Sequence, residues 1–169
     1  MADNCNDRPN AATTGAPQEL VITRVFDAPR ALVWQVWTDP QHIARWWGPH
    51  GFTNPVCELD LRPGGVLRMN MTGPDGVVSP CTGVFREVVA PERLVFTTRA
   101  LEEEEGNAGL EVLNTVTFAD VGDKTQLTLH AVVVTATPDA ASALDGMEDG
   151  WTQTLDRLAD HLADYLATA

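Results

Sequence analysis

The chain has 169 residues, 44% of them hydrophobic, and a formal net charge of −13 from 24 acidic and 11 basic side chains. This length is typical of one domain and buries roughly 70% of the unfolded-chain surface, so the core needs no metal or disulfide to support it. The acidic balance argues against partners that are nucleic acids or anionic membranes, and no apolar run is long enough to span a bilayer.

Residues 1–18 predict a disordered N-terminal tail, because they are rich in Asn, Ala, Thr and Pro and hold few apolar side chains. The tail has neither the basic start nor the apolar segment of a signal peptide. The three cysteines, Cys5, Cys57 and Cys81, are too few and too scattered for a disulfide framework. We therefore expect a cytoplasmic protein with free thiols.

A strand and two short helices are predicted for residues 19–46. Apolar and polar side chains alternate in ELVITRVF, residues 19–26, as on a half-buried strand. Asp27 is the expected N-cap of the first helix, with Pro29 inside its first turn. The second helix is expected at about 39–46, ending before Gly48-Pro49.

A six-stranded antiparallel meander is predicted from residue 52 to about 135, because short strand patterns are joined by turn sequences such as RPGG and TGPDG. Apolar residues then recur every three or four positions from Leu144 to Leu166, which predicts one helix of about 25 residues and nearly 40 Å. The sequence thus predicts an α+β fold for a single domain, residues 19–169. A curved antiparallel sheet of about six to seven strands, with two short helices, wraps around a long C-terminal helix.

Several segments resemble the AHSA1-like branch, named for activators of the Hsp90 ATPase, of the START/Bet v 1 (SRPBCC) superfamily. They include FDAPRALVWQVWTDPQHIARWWGPHGFT, ELDLRPGGVLRMNMTGPDG and GMEDGWTQTLDRLADHL, and the resemblance runs from about residue 19 to 166. It implies a helix-grip fold with an apolar cavity between the sheet and the last helix. Members of the superfamily bind lipids, plant hormones and polyketides, and some catalyse cyclisation. The eukaryotic Hsp90 activators carry a separate Hsp90-binding domain that the N-terminal tail cannot replace, which argues against Hsp90 as a partner.

The adjacent tryptophans Trp46 and Trp47 are the first candidates for the site. Neighbouring residues on a helix point about 100° apart, so the two rings cannot face one core together. We expect Trp46 to pack inward with Trp37, and Trp47 to lie at the cavity mouth near Phe52. The alternatives are that both rings close the core or form a homodimer interface.

The predicted ligand-binding residues are large, adaptable apolar side chains, each with core packing as the alternative. They are Trp37, Trp46, Trp47, Phe52, Met69, Met71, Phe85, Phe96, Met147 and Trp151. Gly146 and Gly150 are four apart on the long helix, where glycine is costly, so a strand or a ligand is expected to approach them closely.

Polar candidates are few. Glu58 or Asp60 is expected to pair with Arg68 across two strands, either on the solvent face or on the cavity wall. An enzyme of cyclase or hydrolase type would use Asp60, His130 or Glu58 as acid or base in the cavity. The acidic run 102–105 is expected to be a solvated loop, whose charge disfavours anionic ligands if it lies at the rim.

The chain lacks the spacing of known metal and cofactor motifs. His42, His50 and Cys57 do not match a zinc signature, and there is no phosphate-binding loop or dinucleotide glycine pattern. We therefore predict no metal, no cofactor and no catalytic group.

Taken together, these patterns predict a binding protein for a small hydrophobic, aromatic or lipid-like ligand, held between the last helix and the sheet. Two alternatives stay open. One is an enzyme of cyclase or hydrolase type that acts on a hydrophobic substrate in the same cavity. The other is an Hsp90-associated or stress-related interaction module.

Overall fold

The computed structural model describes residues 18–102 and 108–168. The N-terminal tail up to residue 17 lies outside the described residues, as does most of the acidic run. The strands are β1 (Glu19–Phe26), β2 (Thr53–Leu59), β3 (Val66–Thr72), β4 (Val78–Val89), β5 (Arg93–Glu102), β6 (Ala108–Val121) and β7 (Lys124–Ala136). The helices are α1 (Arg30–Thr38), α2 (Pro40–Trp46), α3 (Ala141–Asp145) and α4 (Met147–Thr168), with a 3₁₀ turn at Pro138–Ala140.

All seven strands form one antiparallel sheet in the order β1-β7-β6-β5-β4-β3-β2. Strands β2 to β7 follow each other as the predicted meander. The first strand then pairs with the last, with Leu20 opposite Ala131. The curved sheet packs its inner face against the helices, so the helix-grip α+β fold predicted from the sequence is confirmed.

The first helix begins later than the sequence predicted, and Asp27 does not cap it. Pro29 is itself the N-cap, in an extended conformation, and its carbonyl oxygen accepts from the backbone N–H of Val33 at 3.1 Å. At the second helix the cap is as expected: the Asp39 side chain accepts from the backbone N–H of Gln41 at 2.9 Å. Helix α2 lies against β2, the strand at one edge of the sheet.

The predicted long C-terminal helix is confirmed as α4, but it begins at Met147 rather than near Leu144 and is shorter than the expected 25 residues. Gly146 separates α3 from α4, and the 22 residues of α4 span about 33 Å. Glycine has a low helix propensity, which favours an interruption at this position. Leu155, Leu158 and Leu162 of α4 are buried, whereas Leu166 is exposed, so the buried part of the apolar stripe ends at Leu162. Within the described parts of the chain, no helix is both long and apolar enough to cross a membrane.

An aromatic cluster fills the centre of the core, where α1 and α2 meet the sheet. Trp37 is 2% exposed and lies edge-on to Trp46, with 4.8 Å between ring centroids. Trp46 is fully buried, and its indole N–H donates to the carbonyl oxygen of Val36 at 3.0 Å. Burial of such rings contributes roughly 1.5–3 kcal/mol for each large apolar side chain. The cluster therefore fixes the two short helices against the sheet.

Candidate functional site

A cavity of about 440 Å³ lies between the N-terminal half of α4, the α2–β2 loop and the inner face of strands β3 to β6. Its wall is mostly apolar, and it is open to solvent. The lining residues are Trp47, Gly48, Pro49, Phe52, Met71, Ser79, Cys81, Thr98, Leu110, Val112, Asn114, Ala143, Gly146, Met147, Gly150, Trp151 and Thr154.

The end of α2 separates the two adjacent tryptophans. Trp46 is the last helical residue and points into the core, while Trp47 is the C-cap, with extended dihedrals, and lines the cavity. Trp46 thus packs inward as expected, whereas Trp47 both belongs to the buried core cluster and lines the cavity. Trp46 is fully buried and Trp47 is 6% exposed, so neither ring presents a large open surface.

Gly48 shapes the cavity mouth through its backbone conformation. Its φ is +99°, in the region that L side chains rarely adopt. A Cβ atom here would lie 3.1 Å from Cβ of Phe52 and 3.4 Å from Cε of Met71. The glycine thus lets the chain turn back so that Phe52 and Met71 both reach the cavity.

Arg157 of α4 holds the loop that carries Trp47. Its guanidinium donates to the backbone carbonyl oxygens of Arg45, Trp47, Gly48 and Pro49 at 2.9–3.1 Å. Partial burial lowers the pKa of this guanidinium from its ordinary value. Sequence analysis did not single out Arg157, because helical periodicity alone does not show which loop packs beside it.

Asn114 is a fully buried polar side chain in the cavity wall. Its Nδ2 donates to Thr98 Oγ1 at 3.1 Å and to the carbonyl oxygens of Phe96 and Val112 at 3.3 and 3.4 Å. Its Oδ1 is buried and has no hydrogen-bond partner among the described residues. This carboxamide is therefore an acceptor that the protein itself leaves unfilled.

Comparison with known proteins assigns the chain to a protein family. The model of the family described as "Activator of Hsp90 ATPase homolog 1-like protein" matches residues 27–163. The chain belongs to this family. No relative among curated proteins matches it.

Solved structures share the fold of this chain. A protein from Nitrosomonas europaea is 26% identical with a TM-score of 0.73, over 88% of this chain and 96% of that one. One from Arthrobacter aurescens is 27% identical with a TM-score of 0.75, over 86% of each chain. The AHSA1 protein of Silicibacter pomeroyi, at 24% identity over 86% of this chain and 98% of that one, has a TM-score of 0.70 and shows the shared fold.

In this member of the family, the predicted ligand-binding residues fall into two groups. Those that line the cavity are Trp47, Phe52, Met71, Met147 and Trp151. Those that lie in the core instead are Trp37, Trp46, Met69, Phe85 and Phe96. Several rings of the second group surround a void of about 10 Å³. That space is comparable to one water molecule and is lined by apolar side chains, so it is too small for a ligand.

Several cavity residues were not predicted, chiefly on β4, β5 and β6. Ser79 lies opposite Met71, and Cys81 lies opposite Met69. The alternation of Leu110, Val112 and Asn114 along β6 is a period-two signal that becomes informative only once the strand's face is known. Burial raises the pKa of Cys81 to about 12, so its thiol stays neutral and is a poor nucleophile.

Gly150 lines the cavity without any close approach by a strand. A Cβ atom there would meet only Cγ of Pro49, at 3.9 Å. Gly146 also lines the cavity, but it lies in the break before α4 rather than within one helix with Gly150. The expectation that a strand approaches the two glycines closely is therefore wrong for Gly150.

The charged candidates lie outside the cavity, which corrects their proposed role as cavity acids or bases. Glu58 and Arg68 form the predicted cross-strand ion pair at 3.0 Å, with both side chains exposed. Asp60 pairs with Arg62 instead. His130 contacts Glu19 at 2.9 Å, and both side chains are partly exposed. Of the acidic run, residues 103–105 lie outside the described part of the chain.

His42 pairs with a histidine that sequence spacing did not indicate. Its Nδ1 lies 2.9 Å from Nε2 of His161 on α4, whereas His50 and Cys57 are not part of this contact. Burial, together with the charges of His42 and Arg45, lowers the pKa of His161, and Asp164 partly opposes this. The pair joins α2 to α4, and neither histidine lines the cavity.

Proposed function

We propose that this protein binds a small neutral apolar or aromatic molecule in the cavity between α4 and the sheet. The observation that carries the proposal is the cavity itself. Its volume of about 440 Å³ falls within the range of about 300–1,000 Å³ that is typical of small-molecule sites. Such sites combine apolar walls with a small number of polar groups, as this one does.

The two indole rings of the wall favour a flat ligand. Trp47 and Trp151 meet edge-to-face, with 5.4 Å between ring centroids and 79° between ring planes. A planar ring that stacks on one indole therefore turns its own edge toward the other, and both stacked and edge-to-face arrangements are favourable aromatic geometries. Met71 and Met147 supply flexible thioether chains that adapt to the rest of the ligand.

The cavity wall around Trp47 is held in place before a ligand arrives. The carbonyl oxygen of Trp47 accepts hydrogen bonds from Nδ2 of Asn54 at 2.9 Å and from Arg157 at 3.1 Å. A wall fixed in this way loses little conformational entropy on binding, which favours affinity.

The wall also favours a neutral ligand. None of the described residues that line the cavity carries a carboxylate, an imidazole or a basic side chain. A charged group placed there would lose its hydration without gaining a counter-charge from these residues, which is costly.

Filling the cavity from α4 tests the proposal. Gly150→Leu introduces a side chain at a position where an added Cβ atom meets only Pro49, and leucine also raises helix propensity. Calorimetric titration with a panel of neutral bicyclic and tricyclic aromatics is expected to show binding by the wild type and its loss in Gly150→Leu. Ala163→Leu adds the same side chain at an exposed position of the same helix and serves as the matched control.

Two outcomes would overturn the proposal. One is the absence of binding by the folded wild type across the panel, and the other is unchanged affinity in Gly150→Leu. In the first case, a change in Hsp90 ATPase rate on adding the protein would instead favour the interaction module that the family name implies.

A further inference from the structure

We infer that the contact between His42 of α2 and His161 of α4 makes ligand binding sensitive to acid, so that the cavity releases its ligand when both rings are protonated. The inference rests on the proposed function and adds a means of regulating it. Nδ1 of His42 and Nε2 of His161 are 2.9 Å apart. At this separation one nitrogen donates a hydrogen bond and the other accepts it.

The histidine pair holds one extra proton without breaking, but not two. A first proton charges one ring and leaves a hydrogen bond between the two facing nitrogens. A second proton places an N–H group on each facing nitrogen and a positive charge on each ring, so the contact must break. Burial lowers the pKa of His161, the charges of His42 and Arg45 lower it further, and Asp164 opposes them. The intact contact therefore takes its second proton only below the ordinary histidine pKa of about 6.5.

The ionisable groups around the pair come from its own two helices. They are Arg45 on α2, and Asp164 and Tyr165 on α4. The elements that also pack against α2 are α1 and β2, and their charged groups are engaged elsewhere, in the ion pairs Arg30–Asp120 and Glu58–Arg68. Cys57 of β2 stays neutral, because burial raises the pKa of its thiol to about 11. One cation and one carboxylate thus act on the pair with opposite sign, and repulsion within the pair decides whether it opens.

The histidine pair lies close in the chain to the groups that fix the cavity wall. His161 follows Arg157 by one turn of α4, and the Arg157 guanidinium donates to the carbonyl oxygens of Trp47 and three nearby residues. His42 precedes Ile43, whose carbonyl oxygen accepts from the backbone N–H of Trp47 at 3.0 Å. Separation of α2 from α4 at the pair therefore disturbs both sets of hydrogen bonds that hold Trp47 in the wall. Since only molecules with an intact wall bind well, acid lowers the apparent affinity.

Calorimetric titrations with 2-naphthol and with naphthalene, neither of which is charged between pH 5 and 8, test the inference. Wild-type affinity is expected to fall about tenfold from pH 7.5 to 5, which corresponds to a difference of about one unit between the pKa of the intact and the opened pair. In His161→Gln the amide can keep the hydrogen bond but does not titrate, so affinity is expected to stay nearly constant. His42→Asn makes the same test if His161→Gln does not fold. His50→Gln is the control, because His50 is exposed and outside the pair, and it is expected to keep the wild-type pH dependence.

Indole N–H resonances in ¹H–¹⁵N NMR spectra follow the wall without a ligand. The Trp47 resonance is expected to shift between pH 7.5 and 5 in the wild type and to stay in place in His161→Gln. Trp34 does not line the cavity, and its resonance is expected to shift in neither protein. Retained dispersion of the backbone amide signals shows that the protein is still folded at the lower pH.

The outcomes separate the inference from the proposed function. If wild-type protein binds neither probe, nor the wider aromatic panel, at pH 7.5, the proposed function is overturned, and a Trp47 resonance that does not move overturns the acid response as well. Equal wild-type affinity at the two pH values overturns the inference and leaves the cavity standing. The same fall in affinity in the wild type and in folded His161→Gln would assign the pH dependence to another group and also overturn it.

Discussion

Trp37 of α1 and Trp151 of α4 are stacked, with ring centroids 6.4 Å apart and 18° between their planes. Trp37 belongs to the closed core, whereas Trp151 faces the cavity. The core and the cavity wall are thus one continuous aromatic structure. A change at the wall is therefore expected to affect both ligand binding and the stability of the fold.

The effects on binding and on stability are separated by comparing Trp151→Leu with a substitution of Trp34, a tryptophan outside the cavity. We expect Trp151→Leu to lose about 1–3 kcal/mol of unfolding free energy and to abolish binding of neutral aromatics. Trp34→Leu is the control, because Trp34 packs edge-on to Phe118 at 5.4 Å and does not line the cavity. Urea denaturation measures the first quantity and calorimetry the second. Equal loss of affinity in both folded variants would contradict the assignment of Trp151 to the wall.

Gly48→Ala is expected to destabilise the fold by about 1–3 kcal/mol, because a non-glycine residue would be strained at a φ of +99°. The added methyl also lies only 3.1 Å from Cβ of Phe52, so the cavity mouth must shift. The midpoint of urea unfolding measures the loss. A variant as stable as the wild type would show that the turn after Trp47 does not require glycine.

Gly150→Ala is expected to have the opposite sign. The added methyl contacts only Pro49, at 3.9 Å, and alanine in a helix is favoured over glycine by about 0.5–1 kcal/mol. The same methyl reduces the cavity, so affinity for the larger members of an aromatic panel is expected to fall while stability rises. If affinity rose with stability, the helix face at Gly150 would not be part of the binding surface.

Arg157→Met removes the charged group that holds the α2–β2 loop but keeps most of the aliphatic chain. Hydrogen bonds to charged groups contribute about 1.5–3 kcal/mol, and a loss in that range is expected. Arg68→Met is the control, because its ion pair with Glu58 is exposed and such pairs contribute about 0–1 kcal/mol. Thermal and urea unfolding compare the two. Similar losses would show that the four carbonyl contacts of Arg157 add nothing beyond a surface charge.

Stability is expected to fall as the pH drops below the ordinary histidine pKa of about 6.5. The folded protein holds the pKa of His161 below that value, through burial first and then the charges of His42 and Arg45, with Asp164 opposing. The unfolded chain therefore binds a proton at a higher pH than the folded chain does, which favours unfolding until the folded pKa is also passed. Urea midpoints between pH 7.5 and 5 measure this slope, and His161→Gln is expected to reduce it. An unchanged slope in that variant would assign the effect to other groups.

The sheet and the two short helices could be predicted because local patterns specify them. Strand alternation, turn sequences and Pro40 after Asp39 each limit the backbone over a few residues. The break at Gly146 was missed because the apolar stripe continues through it. The capping role of Asp27 was wrong because a proline two residues later can itself take the cap position, which spacing alone does not reveal.

The cavity could be predicted only in part. Alternation of apolar and polar residues shows which face of a strand points inward, but not whether an inward residue lies in the core or in the cavity wall. Met69 and Met71 share one face of β3, yet Met69 is fully buried in the core and Met71 lines the cavity. The places of Arg157 and Asn114 at the site are set by contacts between separate parts of the chain. Arg157 and Trp47, for example, are more than 100 residues apart in sequence. Such contacts follow from tertiary packing rather than from any short segment.

Four of the five tryptophans lie in one group, at centroid separations of 4.8–6.4 Å, and this gives the protein an internal optical reporter. Indoles this close exchange excitation energy and couple their electronic transitions. Emission from Trp37 and Trp46, which no ligand in the cavity touches, therefore depends on what occupies the space beside Trp47 and Trp151. Occupancy of the cavity can thus be followed by intrinsic fluorescence and near-ultraviolet circular dichroism of the unlabelled protein.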